Sequence, residues 1–199
     1  MTAWDGEVLQ ANNLSHQAAR QAQQSHEVTR LHLDRLLESG RLDGRPPGRI
    51  DITPPPAAAE KLLLAHDLYR QALAAMPKSV TADVAVLHHQ LGGICQSLNR
   101  IDAAVHHFHQ AIRLHSLLGD RLRAGQTRLD FATCLIHRGA RYPAALVQAR
   151  AALLDLQSHS PRPDHEIDRA TGLIAEIRRH LRPPRRSRLR RRPARGVPG

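Results

Sequence analysis

Lysine, cysteine and aromatic residues are all scarce in this chain of 199 residues. It contains two lysines, two cysteines and five aromatic residues. So few rings cannot form a large aromatic core or a stacking surface for nucleic-acid bases. The cysteines, Cys95 and Cys134, are isolated and form no CxxC pair. Lone thiols of this kind are more often small core residues than disulfide partners in an intracellular chain, so we expect both to pack inside the fold.

Long hydrophobic runs are also missing. No apolar stretch approaches the roughly 18 residues that a membrane-spanning helix requires. The first fifteen residues include Asp5 and Glu7, where a secretion signal would have a basic start and an apolar centre. We therefore expect a cytoplasmic protein without a membrane partner.

Positive charge is concentrated at one end of the chain. The formal net charge is +11, but residues 178–199 hold ten arginines and no acidic residue, which leaves +1 for the rest. A basic tail is typical of polyanion binding. The excess of 27 arginines over two lysines fits equally well with a coding bias that has no binding role. Both interpretations remain open.

Residues 183–199 cannot bury a core, and we expect them to be a disordered tail. The arginines of this tail are the candidate polyanion-binding residues, and they would bind nucleic acid without sequence specificity. They are Arg185, Arg186, Arg188, Arg190, Arg191, Arg192 and Arg195.

Proline and glycine divide the remaining chain into helical segments. Residues 1–39 form an amino-terminal segment with a helix expected at 15–38. Residues 40–57 contain eight glycines or prolines, a density that excludes helix and strand and predicts a linker. Thr53 and Pro54 fit an N-cap and first-turn proline for a helix that begins near Ala57. Further breaks predict helices at 57–76, 80–98, 101–118, 120–138, 142–158 and 164–182, with no strand between them, so the predicted fold class is all-α.

A unit of about forty residues recurs within these helices. Ala65, Ala104 and Ala145 lie 39 and 41 residues apart. Each begins the same spacing, which continues as Tyr69 and Ala72, as Phe108 and Ala111, and as Ala149 and Ala152. At 100° per residue these positions fall on one narrow stripe of a helix. Small alanines let a neighbouring helix approach while a ring fills the space between them.

This pattern resembles the tetratricopeptide repeat, in which Leu-Gly marks the first helix and Ala-x3-Phe with a second Ala marks the second. The middle unit matches at Leu91, Gly92, Ala104, Phe108 and Ala111. The resemblance covers residues 57–158 and implies a right-handed α-α superhelix, a solenoid of about two and a half units. Residues 58–182 would form the repeat domain, with 164–182 as its capping helix.

The resemblance is incomplete in several places. His88 and Cys95 replace aromatic residues, and the third unit has no aromatic residue in its second helix. In the first unit, the linker lies where the first helix should be. The long unit and its Gly119-Asp120 turn look like the repeats attached to bacterial regulatory and signalling proteins.

The resemblance implies a protein-interaction module, an adaptor or scaffold that binds a peptide or helix in a concave groove lined by the first helix of each unit. Self-association into a homo-oligomer is a further expectation. The groove positions implied by the resemblance are His89, Gln96, Ser97, Gln126, Asp130, Thr133 and His137. His89 and Gly93 stand where some relatives use Lys and Asn to grip a terminal carboxylate, so that type of clamp is not expected.

The fourteen histidines do not form a pattern that binds metal. His106 and His109 point outward on the helical wheel, and His115 falls in the buried stripe as a core histidine with one hydrogen-bonded nitrogen. A tetrahedral site needs three or four ligands, and none joins the outward pair. No nucleophile elbow, phosphate-binding loop or dinucleotide motif is present, so we expect no cofactor and no enzyme. The alternative is a nucleic-acid-associated protein anchored by the arginine tail, with the repeats as its dimerisation surface. An enzyme is a weaker third hypothesis.

Overall fold

The computed structural model describes residues 3–38, 54–76, 81–137 and 141–182. Over these ranges the chain forms seven helices and no strand, which confirms the all-α fold class. The helices are α1 (Ala3–Glu38), α2 (Pro56–Ala75), α3 (Ala82–Ser97), α4 (Ile101–Leu117), α5 (Arg121–His137), α6 (Tyr142–Gln157) and α7 (Asp164–Leu181). In this part of the chain, none of the helices combines the length and the apolar character needed to cross a membrane.

The helices after the linker begin and end within two residues of the predicted positions. Two of their connections have the same geometry. Asn99 after α3 and Gly119 after α4 both adopt left-handed backbone, with φ of 57° and 71°. The next amide in each turn, Arg100 or Asp120, donates to the carbonyl five residues back. Such a left-handed cap ends a helix sharply and returns the chain antiparallel.

The start of α2 differs from the predicted one. The N-cap is Pro55, which makes no side-chain hydrogen bond, and Pro56 occupies the first helical position. A residue that precedes proline is forced into extended backbone, so Pro54 and Pro55 cannot enter the helix, whereas Pro56 can. Thr53 and the linker residues 40–53 lie outside the described residues.

The first helix is longer than predicted and belongs to the same core as α2. It begins at Ala3, twelve residues before the expected start. The single Gly6 costs about 1 kcal/mol of helix propensity, and burial of Ala11 and Leu14 against α2 offsets this cost. Ser25 Oγ also donates to the Ala58 carbonyl at 2.9 Å. The helix that packs on α2 is therefore α1, which precedes the linker, whereas the repeat pattern expected a helix where the linker lies.

Small buried residues spaced seven apart mark three helix pairs, α1 with α2, α3 with α4, and α5 with α6. The two helices of each pair pack against each other, and the second helix of each pair also packs against the helix that follows it. Seven residues are two helical turns, so such a pair of small side chains forms one flat strip where backbones approach closely. In the first helices the pairs are Ala11 and Ala18, Ala85 and Gly92, and Gly125 and Ala132, and in the second helices they are Ala65 and Ala72, Ala104 and Ala111, and Ala145 and Ala152.

The larger core residues fill the space that these small residues leave. Phe108 is completely buried, and its ring centroid lies 6.0 Å from that of Phe131. Cys95 and Cys134 are also buried and form no disulfide, as expected for packing residues. Burial raises the pKa of the Cys95 thiol, so this group stays protonated at neutral pH and is not a nucleophile.

Candidate functional site

A cavity of about 270 Å³ lies where the four odd-numbered helices come together. Five of the seven predicted groove residues line it: His89, Gln96 and Ser97 from α3, and Asp130 and Thr133 from α5. These side chains come from helices that are neighbours in space but separated by α4 in the chain. The family resemblance therefore located five of the thirteen residues that line the cavity.

The other two predicted residues have different outcomes. Gln126 does not line the cavity, because its amide donates to Glu166 Oε1 at 3.1 Å. Glu166 belongs to α7, and its carboxylate holds the Gln126 amide outside the cavity. The side chain of His137 lies outside the described residues, as do the seven tail arginines from Arg185 to Arg195.

Sequence reasoning missed the contributions of α1 and α7. Ala22 and His26 enter the cavity from α1, and Arg169 enters from α7. Both helices lie outside the repeat pattern, which offered no register for them. The heptad spacing of Ala11, Ala18 and Ser25 was a signal that α1 has a buried face.

Asp130 is the centre of a polar network at the cavity wall. Arg169 Nη2 donates to Asp130 Oδ1 at 2.6 Å, and His89 Nε2 lies 3.6 Å from Asp130 Oδ2. On the other side of the imidazole ring, His89 Nδ1 lies 3.0 Å from the hydroxyl oxygen of Thr127. The network thus joins α3, α5 and α7 through side chains that are all at least half buried.

The environment of His89 favours its neutral form. Burial lowers its pKa, and the cationic groups of Arg123 and Arg169 lower it further, while the Asp130 carboxylate partly opposes them. The imidazole ring also packs edge-on against Phe108, with centroids 6.2 Å apart. His89 is consequently an uncharged ring at neutral pH, held between an aromatic face and a carboxylate.

The cavity floor is apolar, and one of the lining residues is a glycine that adds no side chain to the cavity. Leu62, Ile94 and Phe108 supply the apolar surface. Gly93 also lines the cavity, and a Cβ atom added there would meet nothing within 4 Å. Polar groups around an apolar floor are the usual composition of a recognition site.

A second group of histidines lies outside this cavity. His88 Nδ1 and His107 Nδ1 are 3.0 Å apart, so one ring donates and the other accepts. Burial, together with His88, His106, His66 and Arg70, lowers the pKa of His107 to about 4. Both rings are therefore neutral at pH 7. In the described ranges, no three His, Cys, Asp or Glu side chains converge as a metal-binding group.

The remaining predicted histidines are placed as follows. His106 and His109 are exposed, as the helical wheel predicted. His115 is buried, also as predicted, and burial lowers its pKa. Its Nδ1 has no hydrogen-bond partner.

Comparison with known proteins gives little guidance. No protein-family model matches the sequence. No curated protein matches it either. The crystal structure of BtubC (BKLC) from P. vanneervenii is similar over 94% of this chain and 97% of that chain, at 15% sequence identity and a TM-score of 0.48. Similarity at this level carries no argument about function.

Proposed function

We propose that this chain is a protein-interaction module, an adaptor or scaffold built from a short array of tetratricopeptide-like repeats. In this proposal α1 to α6 form three helix pairs arranged as a solenoid, and α7 covers the last pair. A peptide or helix from a partner protein binds in the cavity lined by α1, α3, α5 and α7. The observation that carries the proposal is that this one cavity gathers side chains from the first helix of every pair.

The repeated packing of small residues supports this architecture. Three helix pairs use the same seven-residue spacing of alanine and glycine on both partners. When successive pairs stack in one register, their first helices lie side by side and form a continuous surface. Such surfaces bind extended chains, since each repeat adds a few side-chain contacts along the ligand.

The size and lining of the cavity support a peptide as ligand. A volume of about 270 Å³ is below the roughly 300 Å³ at which sites for drug-sized molecules begin. It accommodates one or two side chains of a longer ligand that continues along the open face. Gln90, Gln96 and Ser97 supply amide and hydroxyl groups that are suited to peptide backbone.

Gly93 offers a direct test of this function. Gly93→Trp would fill the cavity mouth without displacing the core, because nothing lies within 4 Å of the added Cβ. Gly6→Trp is the matched control, since Gly6 is exposed on α1, is equally uncrowded and does not line the cavity. Peptides selected from a random display library on the full chain would be measured against both variants by fluorescence anisotropy.

We expect Gly93→Trp to weaken the selected peptides by about tenfold or more, which corresponds to about 1.4 kcal/mol. Gly6→Trp should leave their affinity unchanged. Peptides that bind both variants equally, or a library that yields no binder, would contradict the proposed function.

A second candidate function rests on the basic end of α7. Arg178 and Arg179 in its last turn and Arg182 just after it are exposed. They continue into the arginine-rich residues 183–199, so the positive charge of the helix end extends into the tail. We propose non-specific nucleic-acid binding by this end as the alternative role of the chain.

A further inference from the structure

Two polar atoms of the cavity wall lie close together without forming a hydrogen bond. His89 Nε2 and Asp130 Oδ2 are 3.6 Å apart. A hydrogen bond between nitrogen and oxygen requires about 2.7–3.2 Å. Both residues line the cavity.

The neighbouring hydroxyl group determines which nitrogen of His89 carries the proton. Thr127 Oγ1 donates its only hydrogen to the Arg123 carbonyl at 2.7 Å. Toward His89 Nδ1, 3.0 Å away, the same oxygen can therefore only accept. The Nδ1 atom must carry the hydrogen, and in the neutral ring Nε2 is then a bare acceptor.

Asp130 presents a second acceptor beside it. Its Oδ1 accepts from Arg169, so the carboxylate is held in place, while Oδ2 is directed toward His89. The cavity wall thus presents two acceptors side by side, one of them anionic. A nitrogen atom about 2.8–3.0 Å from each would bridge a pair of acceptors separated by this distance.

We propose that His89 Nε2 and Asp130 Oδ2 together bind the ammonium group of a lysine side chain from the partner. A lysine ammonium is a compact charge with three donors, two of which can reach the two acceptors. Its four-carbon stem would lie over the apolar floor made by Leu62, Ile94 and Phe108. This inference rests on the proposed function for the peptide that carries the lysine, and it specifies the chemistry that the cavity selects.

Protonation of His89 would close this site. An added proton on Nε2 would point toward Asp130 Oδ2. His89 Nε2 would then be a donor instead of an acceptor, and Asp130 Oδ2 would accept from it instead of from the ligand. The groups that face His89 are Asp130 and Arg123 on α5, Arg169 on α7, and His115 on α4, with His26 of α1 in the same cavity. Lysine binding should therefore weaken as the solution becomes acidic.

The test uses n-butylammonium, which reproduces the lysine side chain, on the full chain with ¹⁵N-labelled histidine. We expect saturable binding near the millimolar range, with the largest change at the Nε2 resonance of His89. Asp130→Asn should weaken binding about tenfold or more, because it removes the anionic acceptor. Lowering the pH from 7 to 5 should weaken binding in the unmodified chain.

Two variants keep the test decisive. Asp67→Asn is the matched control, since Asp67 Oδ1 also lies beside a histidine, 3.1 Å from His66 Nδ1, but outside the cavity. It should leave binding unchanged. If Asp130→Asn does not fold, Thr127→Val removes the hydroxyl that fixes the tautomer and should also weaken binding. Equal affinity of n-butylammonium for the Asp130→Asn and unmodified chains, or no change at His89 up to about 100 mM, would overturn the proposal.

The peptides selected for the Gly93→Trp experiment separate this inference from the proposed function. Replacement of their lysine by norleucine keeps the stem and removes the ammonium group, so affinity should fall about tenfold. Peptides that Gly93→Trp blocks but that bind equally well with norleucine would overturn the lysine site and leave the proposed function standing. Binding of n-butylammonium at His89 without any peptide that Gly93→Trp blocks would support the site and contradict the proposed function.

Discussion

Gly92 lies directly against the ring of Phe108. A Cβ atom added at Gly92 would stand 2.8 Å from both Cδ1 and Cε1 of that ring, closer than real side-chain atoms approach. The phenyl ring is itself fully buried and cannot move into solvent. The missing side chain at residue 92 therefore sets the distance between α3 and α4, and Leu156 lies against Gly125 in the same way, 2.8 Å from its Cβ position.

The neighbouring glycines of α3 should respond to alanine with opposite signs. Gly92→Ala should lower the free energy of unfolding by about 1–3 kcal/mol, because overpacking against Phe108 outweighs the gain in helix propensity. Gly93→Ala should raise it by up to about 1 kcal/mol, since its Cβ meets nothing within 4 Å. Urea unfolding followed by circular dichroism measures both. Stabilisation by Gly92→Ala would contradict this prediction, because it would mean that the Phe108 ring moves aside at little cost.

Truncation of the Phe108 ring should be among the most damaging changes to the core. Phe108→Ala should cost about 3–5 kcal/mol, since it leaves a cavity between two closely packed helices. Leu154→Ala provides the comparison, because Leu154 is 69% exposed and should change stability by less than about 0.5 kcal/mol. An unchanged melting temperature for Phe108→Ala would contradict the packing of this ring in the core.

Stability should decrease when the pH falls from neutral. The pKa of His107 is about 4, and burial also lowers the pKa values of His88, His89 and His115. In the unfolded chain these rings titrate near pH 6.5. A lowered pKa in the folded state means that the unfolded chain takes up protons at a higher pH than the folded chain does. The stability that these neutral rings contribute is therefore fully present above about pH 6.5 and is lost as the pH falls toward about 4.

Melting temperatures between pH 7.5 and pH 4.5 check this dependence. His107→Gln should flatten the decline, because the most strongly shifted group is removed. His16→Gln on the exposed face of α1 should leave the profile unchanged. A profile that rises toward acidic pH would contradict the burial of these rings.

The docking of α1 on α2 can be tested at two adjacent alanines. Ala18 is completely buried in the cluster shared with Leu62, Ala65 and Tyr69, whereas Ala19 is exposed. Ala18→Arg should destabilise the chain by several kcal/mol, because it places an unpaired charge between the helices. Ala19→Arg should have little effect. Equal thermal stability of the two variants would mean that α1 is independent of the remaining fold.

The arginine tail predicts a salt-dependent affinity for nucleic acid. Removal of residues 183–199 takes away seven arginines and lowers the net charge from +11 to +4. If all seven contact phosphates, the slope of log K against log salt should be roughly −5 to −6 for the full chain and much smaller for residues 1–182. Binding to DNA across a salt series measures this difference. The same weak affinity and slope for both forms would leave the tail without an anchoring role.

The sequence by itself determined the helices and their buried faces. Proline, glycine and the 3.6-residue period act over a few neighbouring residues, so the bounds from α2 to α7 and the burial of Phe108, Cys95 and Cys134 could be predicted. The resemblance to a repeat family placed five residues of α3 and α5 in the cavity lining, but it also placed Gln126 there, whose amide donates to Glu166 instead.

Only the tertiary structure decided which distant helices meet. Ser25 and Ala58 are 33 residues apart across the linker, and Asp130 and Arg169 are 39 residues apart across α6. Contacts over such separations depend on how whole helices pack, and no local pattern encodes them. The tautomer of His89 was equally hidden, because it depends on a hydroxyl group of another helix. The acceptor pair at the cavity wall exists only once α3, α5 and α7 are packed together.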